Sequence, residues 1–310
     1  MRQRMKRIAV FAGIGVTALI FAFAFLGCSA GTETGSVTLK LTDAPTDAEN
    51  VEGVFITVTK IEYNLGQDEG NDDWEVMKEF EDGKEYDLLE LQNGTTATLV
   101  EDLLLPAGQI NQIRFYLDVP VEGPAPTNPG CYITFNDGTP DEPIFVPSAS
   151  ESGYKAVGAF QVPVNGSVSV TADFDVRKSV VTTGSGRYIL KPTIRLSVDD
   201  QAGSISGSVS GYTAGNALTV YAYEDGTYSA DEAAEPGEEE ARFPNAVTSA
   251  EVGDTSEYKL WYLAAGTYDL VVAEYDGTTG DFIEAQELAS DVEVESEKNS
   301  SQEIDAAPLN

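Results

Sequence analysis

From Gly166 to Val176 the chain alternates without a break. Val168, Val170, Ala172, Phe174 and Val176 fall on one side, and Ser167, Ser169, Thr171, Asp173 and Asp175 on the other. A period of two marks a strand with one buried face, because successive side chains leave a pleated backbone on opposite sides. The pattern recurs in Val37, Leu39 and Leu41; in Val54, Ile56 and Val58; in Ile113, Phe115, Leu117 and Val119; in Tyr258, Leu260 and Tyr262; and in Tyr268, Leu270 and Val272. Nothing after Cys28 keeps a 3.6-residue apolar period over a helical length. Many short strands about 8–12 residues apart, with Gly, Pro and Asn turns between them, argue antiparallel β-sandwiches. The expected fold class is therefore all-β, with two antiparallel β-sandwich domains in tandem.

The boundary falls at residues 199–203 (Asp-Asp-Gln-Ala-Gly), giving domains at 35–198 and 203–307. Several segments carry their own expectations. Residues 65–73 read as an acidic hairpin loop, and residues 98–104 fit either a strand or a short helical turn. Ile144–Val146, bracketed by prolines, reads as an edge strand. Pro192 interrupts the closing strand. Residues 229–241 are too acidic and too poor in apolar side chains to pack, and read as a mobile loop. Leu105-Pro-Ala-Gly108 and Leu263-Ala-Ala-Gly266 both feed a strand with apolar residues at matching offsets. This echo looks like the strand entry of transthyretin-like, or carboxypeptidase-regulatory-like, sandwiches.

The first 28 residues decide where such a chain would live. A basic tip (Arg2, Arg4, Lys6, Arg7) precedes the apolar run Ile8 to Leu26, which ends in Gly27-Cys28. A charged start, an apolar middle and a small-residue exit make a secretory signal. A cysteine just past the cut suggests a lipoprotein signal peptide (1–27), lipidation at Cys28 and a small, polar tether at 28–34. Phe25 and Leu26 are bulkier than a lipobox prefers. The rival is an uncleaved anchor, since the apolar run reaches about 28 Å as a helix. A cysteine at this junction has no role in a plain anchor, which favours the lipoprotein. Both readings put the remainder outside the cytoplasm, and several acyl chains would hold it firmly to the membrane.

Charge and composition remove other classes. Without the four basic residues of the leader, the chain from Cys28 holds 14 basic against 52 acidic residues, a formal charge of −38. No basic stripe with interleaved aromatics offsets this, so no nucleic-acid partner is expected. The chain has no histidine, which removes His-based triads, metal sites and acid–base work. With Cys28 lipidated, Cys131 has no partner within the chain. It shares a strand face with Ile133 and Phe135 and reads as a small core hydrophobe.

Residues 35–198 resemble the bacterial and archaeal domain-of-unknown-function family 4382. The resemblance is carried by Gly35-Ser-Val-Thr-Leu-Lys-Leu-Thr-Asp-Ala-Pro45, Leu88-Leu-Glu-Leu-Gln-Asn-Gly94, Leu105-Pro-Ala-Gly108 with Ile113-Arg114, Asp173-Phe-Asp175, and Leu190-Lys-Pro-Thr-Ile-Arg-Leu196. It implies a secreted or lipid-anchored β-rich domain beside other sandwich modules. The family carries no known chemistry, so no functional residue transfers. Residues 203–307 resemble the carboxypeptidase-regulatory-like class more loosely.

Candidate chemistry rests on carboxylates. Asp173 and Asp175 sit on one strand face about 7 Å apart, and Asp43 and Asp47 flank the Asp-Ala-Pro turn. Two carboxyls at such spacing could serve a glycosidase, yet a solvated outer strand face explains them as well. Calcium is the better functional version, since oxygen ligands bind it without His or Cys. Its candidate ligands are Asp43, Asp173 and Asp175, or the loop residues Asp68, Glu69, Asn71, Asp72 and Asp73. Trp74 and Trp261 could stack on sugars but read more simply as packing. The leading expectation is a non-enzymatic, lipid-anchored cell-surface protein whose partners are the membrane and a glycan or envelope protein. A calcium-assisted carbohydrate- or envelope-binding module and a carboxylate-only glycan hydrolase are the alternatives.

Overall fold

A computed structural model describes residues 33–44, 51–66, 74–118, 130–145, 153–191, 193–238 and 240–309. The leader, Cys28, Asp47 and the loop carboxylates Asp68, Asp72 and Asp73, with Glu69 and Asn71, lie outside the described residues. The first set of strands is β1 (Thr34–Thr42), β2 (Val51–Asn64), β3 (Trp74–Asp87), β4 (Ala97–Pro106), β5 (Gly108–Ile110), β6 (Gln112–Leu117), β7 (Cys131–Phe135), β8 (Glu142–Phe145), β9 (Tyr154–Ala156), β10 (Phe160–Val162) and β11 (Ser167–Phe174). A four-residue helix, α1 (Val176–Ser179), leads to β12 (Val180–Thr182), β13 (Tyr188–Leu190) and β14 (Ile194–Val198). One sheet runs β14-β11-β1-β4, and the larger runs β12-β13-β8-β7-β2-β6-β9 with β3 alongside β2. The alternating apolar residues meet between them: Val37, Leu39, Val170 and Ala172 from one sheet pack with Ile56, Val58, Ile113, Phe115, Cys131 and Ile133 from the other.

The second set is β15 (Ala202–Ser210), β16 (Ala217–Glu224), β17 (Thr248–Glu251), β18 (Glu257–Ala264), β19 (Gly266–Tyr275), β20 (Phe282–Val294), β21 (Asn299–Ser301) and β22 (Ile304–Asp305). A sheet of β18, β15, β21 and β22 faces one of β17-β16-β19-β20. Ile205, Leu218, Val220, Leu260, Leu270 and Val272 fill the space between. The fold is all-β with two layers in each half. Most pairings are antiparallel, but β1 pairs β11, β8 pairs β13, and β15 pairs both β21 and β22 in parallel. The two Leu-x-Ala-Gly motifs play equivalent parts. One lies where β4 gives way to β5, the other where the chain leaves β18 in one sheet for β19 in the other.

Three local expectations change. Residues 98–104 are strand, and a bulge where Leu39 pairs Val100 but Val37 pairs Leu103 breaks their alternation, with Asp102 at φ +48°. The strand at Ile144 is internal, because β13 adds to its free side through Tyr188 and Ile189. The acidic segment 229–241 is held in place where it is described. It belongs to an excursion from Asp225 to Val247 that lies over the outer face of the β16–β19 pair. Phe243 and Ala246 there join Tyr221, Tyr223, Val271, Ala273 and Tyr275 in a second small core. Arg242 donates to the carbonyls of Ala233 and Ala234 and pairs with Glu235. Glu232 accepts from the Tyr223 hydroxyl at 3.0 Å and from the Asn245 amide at 3.1 Å. The apolar anchors stand at and beyond the ends of the acidic run, so its composition alone conceals them.

Leu39 is fully buried between the two sheets of the first half. Leu39→Ala is expected to lower the unfolding free energy by roughly 2–5 kcal/mol through lost contacts and a residual cavity. Urea unfolding would show this as a lower midpoint at an unchanged slope.

Candidate functional site: a buried charged seam

The polar face of β11 meets the second half of the chain, and its carboxylates are buried there. Asp173 stands opposite Arg195 on β14, a directly paired cross-strand position. Its Oδ2 accepts from the guanidinium at 2.8 Å. The same Arg195 donates through its other terminal nitrogen to the Tyr262 carbonyl at 2.7 Å, and the Ser197 hydroxyl donates to that carbonyl at 3.2 Å. Tyr262 can offer its carbonyl because it sits in a bulge of β18 with φ +55°, where two residues oppose one on β15. Its hydroxyl returns the contact by donating to the Gly94 carbonyl at 3.2 Å.

Asp175 does not share a strand face with Asp173 as the alternation suggests, because the strand stops at Phe174; Asp175 caps α1 instead, accepting from the Lys178 amide at 3.3 Å. It pairs with the Arg177 guanidinium at 3.0 Å and the Lys178 ammonium at 3.4 Å. These two cations also reach the excursion over the second half. Arg177 lies 4.9 Å from the Tyr221 ring centroid and donates to the Phe243 carbonyl at 3.3 Å, and Lys178 donates to the Ala246 carbonyl. Asp43, just past β1, accepts from the Val176 amide at 2.9 Å and from the Gln92 side chain at 3.3 Å.

Asp43, Asp173 and Asp175 are each only 4% exposed. At Thr171 and Asp173 the outer strand face is therefore not solvated, because the second half of the chain covers it, while Ser167 at the start of the strand stays exposed. Burial holds the Asp43 carboxyl well above the usual carboxylate range, and the charges of Asp173 and Asp175 push it the same way. Burial also raises Asp173, outweighing the help of Arg195. For Asp175 burial works upward too, but Arg177 and Lys178 outweigh it and hold the carboxyl below its ordinary value. Desolvation lowers the Lys178 ammonium.

The three candidate ligands read from the sequence thus lie together, each engaged by hydrogen-bond donors, and Asp173 and Asp175 by cations as well. Among the described residues no group of three or more His, Cys, Asp or Glu is placed to hold a metal ion. The void beside Asp43 and Asp173 measures about 10 Å³, room for a water but not for a sugar ring. Both tryptophans are partly buried, with a cation over each ring. The Arg114 guanidinium lies 3.7 Å from the Trp74 ring centroid. Trp261 has Lys259 at 3.6 Å and packs so closely on Gly94 that a Cβ there would fall 2.6 Å from the ring. Cys131 is a buried free thiol donating to the Asp118 carbonyl, with its pKa pushed up to about 12 by burial. Arg177 and Lys178 carry no signal in the sequence, and Arg195 and Tyr262 show there only as a motif residue and a strand residue. Only the pairing of β11 with β14 reveals Arg195 as the partner of Asp173.

Arg195→Met is expected to cost roughly 3–5 kcal/mol in urea unfolding, because it strands the Asp173 carboxylate in the seam. Adding Asp173→Leu to that variant should restore most of the loss. The Cys131 thiolate forms only as pH approaches 12. Alkylation mapped by mass spectrometry should accordingly leave Cys131 unmodified in the native chain at neutral pH and modify it once urea unfolds the protein.

No curated protein matches the chain. Among solved structures it is similar to a leucine-rich repeat protein from Bacteroides thetaiotaomicron, at 12% identity and a TM-score of 0.22, covering 88% of this chain and 26% of that one. It is similar to the minor pilin of Streptococcus agalactiae at 13% identity and a TM-score of 0.21, covering 87% and 95%. The major pilin of Streptococcus pyogenes gives 12% identity and a TM-score of 0.16, covering 89% and 99%. The chain spans about a quarter of the first of these. The family described as Domain of unknown function (DUF4382) matches residues 34–192, just over half of the chain and including β1, β11, α1 and all three seam carboxylates. The chain belongs to the DUF4382 family.

Proposed function

We propose that the chain is a non-enzymatic, lipid-anchored protein of the cell surface, in which two firmly joined sandwiches hold or present a binding surface at the envelope. The seam is the observation that carries this reading. Carboxylates that an acid–base site would keep open to a substrate are here buried, and the cations beside Asp173 and Asp175 reach carbonyls of the other half. A joint of that kind transmits force and fixes orientation, which suits a holding role. Among the described residues no helix is long and apolar enough to cross a membrane. Attachment is assigned to a lipidated Cys28, on the strength of the basic tip, the apolar run Ile8 to Leu26 and the Gly27-Cys28 exit, with the membrane as first partner and a glycan or envelope protein as the second.

Mass spectrometry of the N-terminus of the membrane-extracted protein tests the anchor. The expected species begins at an acylated Cys28, and Cys28→Ala should leave the leader uncut or release the chain from the membrane. An intact, unmodified Met1 in the wild-type protein would sink the assignment.

A further inference from the structure

The void in the seam is walled by Thr42, Asp43, Asp173, Ser249 and Tyr262 among others. Asp43 and Asp173 reach it from neighbouring strands, since Thr42 and Asp173 are register partners across the β1–β11 ladder. Asp173 Oδ2 is committed to Arg195, whereas its Oδ1 is buried with no hydrogen-bond partner. An unmet buried acceptor is costly, more so when it is anionic. Asp43 differs from its two neighbours in another way. Asp173 and Asp175 each have an ion-pair partner, but no cation pairs with Asp43 among the described residues. Its two contacts, the Val176 amide and Gln92, are donors that favour the ionised form, but burial outweighs them. One side of the void therefore lacks a donor, and the other side is a carboxyl with no counter-charge.

We propose that Asp43 and Asp173 hold one proton between them, directly or through a single water in the void, and that this proton lets both carboxyls stay buried against the second sandwich. Protonated Asp43 supplies the donor that Asp173 Oδ1 lacks, and it relieves the repulsion of two carboxylates in a dry space. The charged groups around the pair fit. On its own half, Arg195 is spent on Asp173 and the Tyr262 carbonyl, while Arg177 and Lys178 pair with Asp175 and two further carbonyls. Lys40, earlier on β1, is taken by Asp199 at 2.9 Å. On the other half, Lys259 lines the void but lies over the Trp261 ring, and the Tyr262 hydroxyl donates to Gly94. The raised Asp43 carboxyl sets the sign. A carboxyl whose folded value lies above its unfolded one contributes stability that is fully present below about pH 4 and lost as pH rises through the folded value. The contribution of Asp43 is thus greatest in acid and fades as pH rises, whereas Asp175, held low by Arg177 and Lys178, contributes in the opposite sense.

Thermal unfolding of the full-length chain in detergent micelles, across a pH series, tests this against Asp43→Asn. The amide cannot ionise, still accepts from Val176, and offers a permanent N–H to Asp173. The wild-type melting temperature should fall relative to the variant as pH rises, leaving Asp43→Asn higher at alkaline pH by about 2–4 °C or more. Infrared spectra should show a protonated-carboxyl carbonyl band in the wild type that the variant lacks. Amide exchange at Val176 should quicken with pH, beyond the intrinsic rate, in the wild type alone. A variant that melts lower than the wild type at alkaline pH, or a wild type without the protonated-carboxyl band, overturns the proposal. So does a calcium-dependent rise in wild-type melting temperature that Asp43→Asn abolishes, which would give the void to a cation.

Discussion

A carboxylate taken out of water must be met by charge or by donors, and the joint between the two halves is organised around that demand. Three aspartates sit within it, and each is answered differently. Asp173 takes an arginine from the neighbouring strand, Asp175 takes two cations from its own short helix, and Asp43 takes an amide and a glutamine. The cations then continue outward to carbonyls of the second half, so the charges that neutralise one sandwich also attach the other. Breaking such a pair costs far more than forming it gains. The arrangement therefore contributes less to raw stability than to a fixed orientation.

Much of this fold can be read in the sequence, because a period of two along β1, β2, β6 and β11 reports a half-buried strand directly. It misleads where both faces are covered. On β11 the side holding Thr171 and Asp173 looks polar enough to face water, yet Thr171 is fully buried. On β16 and β19 the odd and even positions are both packed, one set in the main core and the other under the excursion. Periodicity records the chemistry of a side chain and not what a distant segment lays upon it. The seam follows the same rule. Its acids could be named, but Arg195 and Tyr262 act through strand pairing and a bulge, and neither leaves a local signature.

Backbone strain falls at the joint. Tyr262 and Phe243 both hold positive φ without being glycine, and the carbonyl of each accepts from an arginine of the first half. A side chain in that region is held there only when its surroundings determine it. Here the ring of Phe243 is locked in the small core and the hydroxyl of Tyr262 is tied to Gly94. The two residues turn their carbonyls across the joint at the cost of local comfort.

The second half meets the cations of the first mainly through main-chain oxygens, at Tyr262, Phe243 and Ala246. A peptide carbonyl is present whatever residue bears it. The accepting side can therefore drift in sequence so long as its backbone path survives, while the donating side must keep Arg177, Lys178 and Arg195 by identity. Divergence across the joint should be lopsided, and one version of the first half can be coupled to many versions of the second.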